Sequence, residues 1–569
     1  MILNNSMLKY PLFIVLTFIS LTSIAQVKDT VNVRDTSHTS TPTIDEVEVI
    51  RDYKPLLEDA RKVRRTPDLS NTRIFQPKLN YNTLDKRINI PSGLQKLTIQ
   101  EIPPLRPETL TNNYAKIGVG NFNTYLGELY VNTGVDEAMQ AGFFAKHLGQ
   151  KGDLDGQKFS EQKVGIFGRT ILDQITLTGT LGYNRYATAF YGVIPEDESL
   201  NPDPEDQTFN DIYFNAELLK NYIPNDDDIS YSLKADGYLF SDKFDMKENA
   251  FALTGYFNKA IKAFNIGANV SVDFTGVKGP EEYQLANHIA RLNPYIRFQG
   301  STYKLTLGAN FVSEFGDNAG TNLFPSADIE LDIIPEYATL FGGINGDVIK
   351  TSLRSLAQEN PYLNQGIELR NSLHKVNAFG GIKGNAGATF GYKAMAYYKQ
   401  IDNLPFFVNN SISPHKFDVI YDEGDKETTV MGLEGEINVR VSETVSLGGK
   451  LIINEYTLSS EERAWFIPKL RLSSNARINI SEKIFLNGEV LVHGISSAKT
   501  YDFATHNIDD YIIKSLPAFI DLNAAAEYRI NQQFGISVRA NNLFGTAYER
   551  YLYYPRLGLN VIGGINYSF

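Results

Sequence analysis

The feature that most constrains the fold of this chain is an alternation of apolar and polar residues that recurs along most of its length. The clearest example runs from Leu433 to Asn454. Small or apolar residues occupy every second position as far as Val441, charged and amide side chains fill the positions between them, and after Ser442-Glu443 the alternation resumes at Val445. Because successive side chains of a strand point to opposite faces of its sheet, this stretch predicts a β-hairpin with one apolar and one polar face.

Two kinds of fold place such hairpins side by side. A soluble β-sandwich buries the apolar faces in its core, whereas a membrane-spanning barrel turns them toward lipid and turns the polar faces toward an aqueous lumen. No apolar run beyond the N-terminal region is as long as the ~20 residues of a membrane helix, so strands would have to make any membrane passage. The 569 residues include 32 Tyr and 34 Phe but one Trp. Such rings are enriched at lipid–water boundaries and also occur in large sandwiches.

The lengths of the connections favour the barrel. Within residues 112–569, ten short polar breaks alternate with longer, variable connections, among them 191–206, 359–371 and 409–425. Short turns at one end and long loops at the other are typical of outer-membrane barrels. Ten turns separate eleven hairpins, which predicts about 22 antiparallel strands, with 20 and 24 as the alternatives. The breaks are Gly134-Val135-Asp136, Asp173-Gln174, Pro224 to Asp228, Lys262-Ala263, Gly300-Ser301, Glu336-Tyr337, Asn385 to Gly387, Ser442-Glu443, Ser481-Glu482 and Asn531-Gln532.

The same physics predicts that the sheet closes on itself. Every unpaired backbone group on an open edge costs several kcal/mol in hydrocarbon. The stretch from Leu557 to Phe569 supplies a last alternating strand, in which Ile562 is the one apolar residue at a polar position. An aromatic end such as Tyr567 and Phe569 is usual for outer-membrane barrels and predicts the signal that barrel assembly machinery reads. The fold class expected for residues 112–569 is therefore an all-β transmembrane antiparallel barrel.

The first 25 residues have the composition of a secretory signal peptide. Lys9 precedes an apolar stretch from Tyr10 to Ile24, and the small residues Ser23 and Ala25 offer a cleavage position. The alternative is a single membrane anchor. Export by such a peptide, together with the predicted barrel, places the chain in the cell outer membrane, with its termini facing the periplasm.

Residues 26–111 form a distinct N-terminal segment, periplasmic or lumenal. A polar tether leads to the short β-prone run Asp45–Ile50, and residues 51–100 then hold eleven Lys/Arg against five Asp/Glu, a net charge of +6. Residues 1–50 carry −2 and the whole chain −12, which leaves −16 for residues 101–569. The opposite charges predict that the basic stretch lies inside the barrel lumen. A disordered periplasmic arm and a segment that docks on another protein are the alternatives. The predicted lumenal or partner contacts are Arg61, Lys62, Arg64 and Arg65.

Several of these stretches resemble TonB-dependent receptors of the Bacteroidetes type. Phe519–Tyr551 is similar to the C-terminal hairpin of that family, with Asn542-Leu543-Phe544 followed by Tyr548-Glu549, and the opening hairpin is similar too. The run DEVEVI resembles the energy-coupling box near the mature N-terminus of such receptors. The resemblance implies an outer-membrane barrel that binds or takes up an extracellular ligand and is driven by a periplasmic TonB-type protein. The residues implied as the coupling box are Asp45, Glu46, Val47, Glu48 and Val49, and the alternative is a short strand packed against the base of the barrel.

The chain departs from that family in one respect. Members carry a globular plug between box and barrel, whereas only about 61 residues separate Ile50 from Asn112 here. A shortened plug leaves two further functions open. One is a non-transporting structural subunit of an outer-membrane complex, with a lipoprotein or another barrel as partner, and the other is a passive porin.

The sequence offers no constellation for catalysis. There is no cysteine, and the seven histidines are too far apart to form a ligand pair at metal-binding spacing. The acidic loop Glu196–Asp206 lacks the spacing of an EF-hand, so we expect a solvated loop rather than a Ca²⁺ site. Glu434, Glu436, Arg440 and Lys450 are expected to line the lumen, where they either contact cargo or simply line the wall. We expect no enzyme activity, no cofactor, no metal and no nucleic-acid partner.

Overall fold

The computed structural model describes residues 113–133, 138–194, 203–221, 229–261, 264–335, 337–387, 389–501 and 511–569. The predicted signal peptide, the box at residues 45–50 and the basic stretch at residues 51–100 lie outside these ranges. In the described part of the chain, no helix combines the length and the apolar character needed to cross a bilayer.

Twenty-two strands form one antiparallel sheet. They are numbered in chain order together with four strands that lie outside the sheet. The strands of the wall are β1 (Tyr114–Gly120), β2 (Thr124–Asn132), β3 (Met139–Lys151), β4 (Lys158–Ile171), β5 (Ile175–Phe190), β6 (Glu205–Lys220), β7 (Ser230–Ser241), β8 (Lys247–Ile261), β9 (Phe264–Lys278), β10 (Gln284–Gln299), β11 (Tyr303–Gly316), β12 (Gly320–Ile334), β13 (Ala338–Ile349), β14 (Ser372–Ala386), β15 (Phe390–Asp402), β18 (Thr428–Arg440), β19 (Val445–Thr457), β20 (Leu470–Asn479), β21 (Ile484–His493), β24 (Phe519–Arg529), β25 (Phe534–Asn541) and β26 (Asn560–Ser568).

The remaining elements belong to the connections between wall strands. Strands β16 (Leu404–Asn409) and β17 (Phe417–Asp422) pair with each other, as do β22 (Ser496–Tyr501) and β23 (Tyr511–Leu516). One short helix, α1 (Leu353–Glu359), lies between β13 and β14. Its N-cap, Ser352, accepts a hydrogen bond from the amide of Ser355 at 3.1 Å, which satisfies one free N–H of the first turn.

The sheet closes because the first strand pairs with the last. Strand β1 pairs with β2 on one side and with β26 on the other, with Gly118 opposite Gly564 at the seam. The prediction of a closed 22-strand barrel is confirmed. Nine of the ten predicted breaks fall between two consecutive wall strands, and the tenth, Asn385 to Gly387, overlaps the last two residues of β14.

The two faces of the wall have the predicted polarity. In the hairpin β18–β19, Leu433 and Ile437 are 57% and 48% exposed on the outer face, whereas Glu434 and Glu436 are 7% and 2% exposed on the inner face. Apolar side chains turned outward around a closed sheet are what a lipid environment stabilises. The hairpin β18–β19 is therefore part of the transmembrane wall and not of a soluble sandwich.

The last strand is shorter than the sequence indicated. It begins at Asn560, because residues 557–559 belong to the preceding connection, and Ile562, the one misfit, points inward and is buried. The ring of Tyr567 lies 4.7 Å from that of Phe534 and 5.8 Å from that of Phe569. The amide of Phe569 donates to the carbonyl of Asn113 at 3.0 Å, so β1 begins where β26 ends, at the short-turn end of the barrel.

The connections at the opposite end are less uniform than expected. Five of them, at residues 121–123, 152–157, 242–246, 279–283 and 317–319, are short turns. Six others are long and fold together, as far as the structure describes them. These six are residues 191–204, 350–371, 403–427, 458–469, 494–518 and 542–559, and we refer to them as the cap.

Candidate functional site

The cap has an aromatic core of its own. Tyr362 and Tyr554 stack with their ring centroids 3.6 Å apart, and Tyr191 meets Tyr554 edge to face at 5.0 Å. Phe417 packs edge to face against Tyr551 at 5.4 Å. All five side chains are at most 3% exposed. They come from four different connections, so these connections are packed together as the interior of a small domain is.

Backbone hydrogen bonds tie the same connections in pairs. The amide of Phe417 donates to the carbonyl of Tyr362 at 2.9 Å, and the amide of Val193 donates to the carbonyl of Tyr553 at 3.0 Å. A third bond, of 2.8 Å, runs from the amide of Phe466 to the carbonyl of Ser497. Each of the six connections takes part in one of these bonds, and the aromatic core joins the three pairs through contacts such as that of Phe417 with Phe466 at 5.5 Å.

Helix α1 fixes the cap to the barrel wall. The carboxylate of Glu248, at the start of β8, accepts hydrogen bonds from the amide of Leu353 at 2.7 Å and from the hydroxyl of Tyr238 at 2.6 Å. Arg354 donates through Nε and Nη2 to Oδ2 of Asp211 on β6, at 3.0 and 2.6 Å. An acidic side chain at a helix N-terminus and a charge-assisted arginine contact both stabilise this attachment.

Asp422 holds a further connection in place. Its carboxylate accepts from the amides of Ser459, Ser460 and Glu461 at 2.7, 2.8 and 2.8 Å, and from the hydroxyl of Thr428. Burial acts to raise the pKa of this carboxyl, but the hydrogen bonds outweigh burial and hold the pKa below its usual range. Residues 458–469 are thereby held against the small sheet β16–β17.

The residues that carry the family resemblance have a structural role. The side-chain amide of Asn542 donates to the carbonyls of Thr546 and Leu557 at 2.9 and 3.0 Å. Tyr548 stacks on Phe519 at 3.9 Å, and its hydroxyl donates to Asp521 at 2.6 Å. The motif thus fixes the connection between β25 and β26 against β24.

Beneath the cap lies a cavity of about 990 Å³ inside the barrel. Its walls are polar and apolar side chains of strands from β8 to β21, and its roof is made by cap residues. The roof residues are Leu356, Glu359, Phe406, Phe407, Trp465, Phe466, Arg550 and Tyr551. A cavity with aromatic and charged lining is the usual setting of a small-molecule site, which makes this cavity the candidate functional site.

The charge of the cavity differs from the expected acidic lumen. Seven Lys and Arg side chains line it against three Asp and Glu side chains, an excess of four positive charges. The net charge of −16 for residues 101–569 sums turns, connections and both faces of the wall, whereas the cavity is lined by a selected set of positions. The cations are Arg291, Lys350, Lys393, Lys399, Lys450, Arg471 and Arg550, and the acids are Asp347, Glu359 and Glu434.

Of the four residues expected to line the lumen, three form one network. Nζ of Lys450 lies 3.0 Å from Oε2 of Glu434 and 3.0 Å from Oε1 of Glu436, and Nζ of Lys393 lies 3.0 Å from Oε1 of Glu434. The register places Lys393, Glu436 and Lys450 directly opposite one another on β15, β18 and β19. Arg440 is exposed beside the short turn and does not join them.

Other sequence-based candidates are placed apart from the cavity or outside the described residues. The coupling-box residues and Arg61, Lys62, Arg64 and Arg65 belong to the second group. The last two residues of the acidic loop, Glu205 and Asp206, form ion pairs with lysines from elsewhere in the chain. Nζ of Lys158 lies 2.5 Å from Oδ1 of Asp206, and Nζ of Lys416 lies 3.1 Å from Oε2 of Glu205. Among the described residues no group of His, Asp and Glu is arranged to hold a metal ion.

Three solved structures of bacterial proteins share this architecture. The FrpB iron transporter from Neisseria meningitidis has a TM-score of 0.62 at 9% identity, over 82% of this chain and 83% of that one. The pyoverdine outer membrane receptor FpvA from Pseudomonas aeruginosa has a TM-score of 0.59 at 13% identity, over 82% and 79%. The siderophore receptor PirA from Acinetobacter baumannii has a TM-score of 0.59 at 10% identity, over 80% of each chain.

No protein-family model matches the chain, and no curated protein matches its sequence. The three likenesses, at 13% identity or less, therefore rest on structure and concern the fold. The chain has the closed barrel fold of these outer-membrane receptors and transporters.

Proposed function

We propose that this chain is an outer-membrane receptor of the TonB-dependent type that binds an extracellular ligand and passes it through the barrel. The observation that carries the proposal is the capped lumen. A barrel of 22 strands encloses a wide lumen. Here six connections with a common buried core lie over one end of it. A gated receptor needs such a closed mouth, whereas a passive porin needs an open one.

The proposal gives each N-terminal segment a role. Residues 1–25 direct export, Asp45–Val49 add a strand to the sheet of a periplasmic TonB-type protein, and the basic stretch contributes a second barrier within the lumen. The cap then faces the cell exterior and the short turns face the periplasm. No catalytic role is assigned to the chain.

A second candidate function follows from how firmly the cap is packed. Tyr362, Phe417 and Tyr551 are at most 2% exposed, as in a permanent core. A barrel with a permanent cap would serve as a structural subunit of an outer-membrane complex, in contact with a lipoprotein or another barrel.

Conductance in planar lipid bilayers separates these functions. We expect the intact chain to give no steady current, because cap and N-terminal segment each block the lumen. A form lacking residues 26–111 and also carrying Tyr554→Ala should give large current steps, since both barriers are then removed. The deletion of residues 26–111 alone and Tyr554→Ala alone serve as matched controls, and each should give smaller currents or none because one barrier remains.

The outcomes divide as follows. A steady current through the intact chain would contradict the receptor and indicate a porin. No current in any form, together with a co-purifying outer-membrane protein, would indicate the structural subunit.

Energy coupling is tested with a separate variant, Val47→Pro. Proline at this position removes a backbone donor from the middle of the box and should weaken strand pairing with the TonB-type protein. If the TonB-type protein of the same organism binds Val47→Pro as tightly as the intact chain, residues 45–49 are not the coupling box.

A further inference from the structure

An arginine in the roof of the cavity is buried with most of its hydrogen-bonding capacity unused. Arg550 is 7% exposed, and its Nε and Nη1 have no hydrogen-bond partner. Its nearest carboxylate is that of Glu359, where Nη2 and Oε1 are 3.8 Å apart, beyond hydrogen-bond distance. A guanidinium group carries five N–H donors, and leaving them unsatisfied in a buried site costs several kcal/mol.

A second arginine and a histidine stand beside it on the wall. Arg471 on β20 pairs in register with His493 on β21, and both line the same cavity as Arg550. Arg471 forms no ion pair with any of the described residues. Burial lowers the pKa of Arg550, and the nearby Arg556 and Arg471 lower it further against the opposing influence of Tyr551 and Glu359. Within the described chain, Arg471 and Arg550 therefore share this part of the cavity with one carboxylate, that of Glu359, which is too far from Arg550 for a hydrogen bond.

The residues around these arginines indicate the size and the apolar character of a ligand. Trp465, Phe466 and Tyr551 line the same roof, where each is packed into the core of the cap and presents at most 4% of its surface to the cavity. The volume of about 990 Å³ is at the upper end of the roughly 300–1,000 Å³ that small-molecule sites occupy. A planar guanidinium binds carboxylate and phosphate oxygens in pairs, and aromatic side chains pack against a flat apolar body.

We propose that Arg471 and Arg550 bind the carboxylate or phosphate group of an organic anion whose apolar body packs against Trp465, Phe466 and Tyr551. This assignment rests on the proposed receptor function, for which it names the class of ligand. It places a binding site on the lumenal side of the cap.

The chain provides its own reporter for this site, because Trp465 is its single tryptophan. Purified protein in detergent is titrated with 4-nitrobenzoate and with 4-nitrophenyl phosphate, both of which quench tryptophan fluorescence. The neutral 4-nitrobenzamide carries the same chromophore and is the matched control probe. We expect saturable quenching by one or both anions and only weak, linear quenching by the amide.

Three variants locate the binding. Arg471→Gln and Arg550→Gln should each weaken anion binding by about tenfold or more, as expected when a charge-assisted hydrogen bond is lost. Lys469→Gln removes a positive charge two residues from Arg471, at an exposed ion pair with Glu455, and should leave the affinity unchanged. Only 8% of the Arg550 side chain is exposed, so Arg550→Gln is the variant more at risk of failing to fold. Arg471 lies on the barrel wall, and Arg471→Gln therefore keeps the test informative in that case.

Equal quenching by the neutral amide, or unchanged affinity in Arg471→Gln, would overturn the anion site. Binding of the phosphate but not of the carboxylate, or the reverse, would support the site and decide between the two groups. The measurement needs neither a bilayer nor a TonB-type protein. Failure of the anion site is therefore distinguishable from failure of the receptor function, which the conductance experiment tests.

Discussion

Alanine in place of Tyr554 is expected to loosen the cap by about 3–5 kcal/mol, the range found when a buried aromatic side chain is truncated. The ring of Tyr554 is 3% exposed and stacks on Tyr362, and its hydroxyl donates to the carbonyl of His415. Its loss leaves a hole where two connections meet and a buried carbonyl without its donor. Hydrogen exchange of residues 350–371 and 403–427 should accelerate, while exchange in the wall strands should stay slow.

Two controls separate the packing from other effects. Tyr554→Phe keeps the ring and removes the hydroxyl, so we expect a smaller loss of about 1 kcal/mol. Tyr337→Ala removes a tyrosine that is 52% exposed at the short-turn end and should leave exchange in the cap unchanged. Unaltered exchange in Tyr554→Ala would show that the cap does not depend on this core.

Methionine in place of Lys450 is expected to lower the free energy of unfolding by about 3–5 kcal/mol, the cost of breaking a buried ion pair from one side. Lys450 is 2% exposed and bridges Glu434 and Glu436, which are 7% and 2% exposed. Without it, Glu436 is left buried with no cation from the described part of the chain in contact, whereas Glu434 retains one cation, Lys393. Urea unfolding in lipid vesicles measures the difference.

The network contains a matched control and a rescue. Lys393→Met leaves Lys450 in contact with both carboxylates, so its cost should be clearly smaller. Glu436→Gln should recover part of the loss when combined with Lys450→Met, because the uncompensated charge is then removed. Equal costs for Lys450→Met and Lys393→Met would mean that lumenal water solvates these groups and that the network adds little stability.

The barrel wall could be predicted because its environment acts on every second residue. Alternation fixed the faces of β18 and β19, and the polar breaks between alternating segments yielded the number of strands. The misfit at Ile562 is also understandable, since this residue is turned inward and buried at 4% exposure near the cap, where apolar side chains are accommodated. Strand starts were less certain, as β26 shows.

The cap could not be predicted in the same way. Strand β16 is six residues long and four of its side chains are buried in succession, so it shows no alternation. The core of the cap joins residues from distant connections, such as Tyr362 and Tyr554, whose pairing has no periodic signal. The available signals were compositional: Trp465-Phe466 and the run Tyr551–Tyr554 place large apolar rings in connections that would otherwise be solvated. The positive charge around Arg471 and Arg550 was hidden for a related reason, because net charge does not report which positions face the cavity.

The most direct test of the central claim is to locate neighbouring side chains of the wall in either lipid or water. The chain has no cysteine, so single cysteines at Leu472, Ser473, Ile437 and Asn438 can carry a fluorophore without background labelling. In lipid vesicles, we expect spin-labelled lipid to quench the fluorophore at Leu472 and Ile437, and aqueous iodide to quench it at Ser473 and Asn438. Protection of Leu472 and Ile437 from both quenchers would place them in a protein core and contradict the transmembrane barrel.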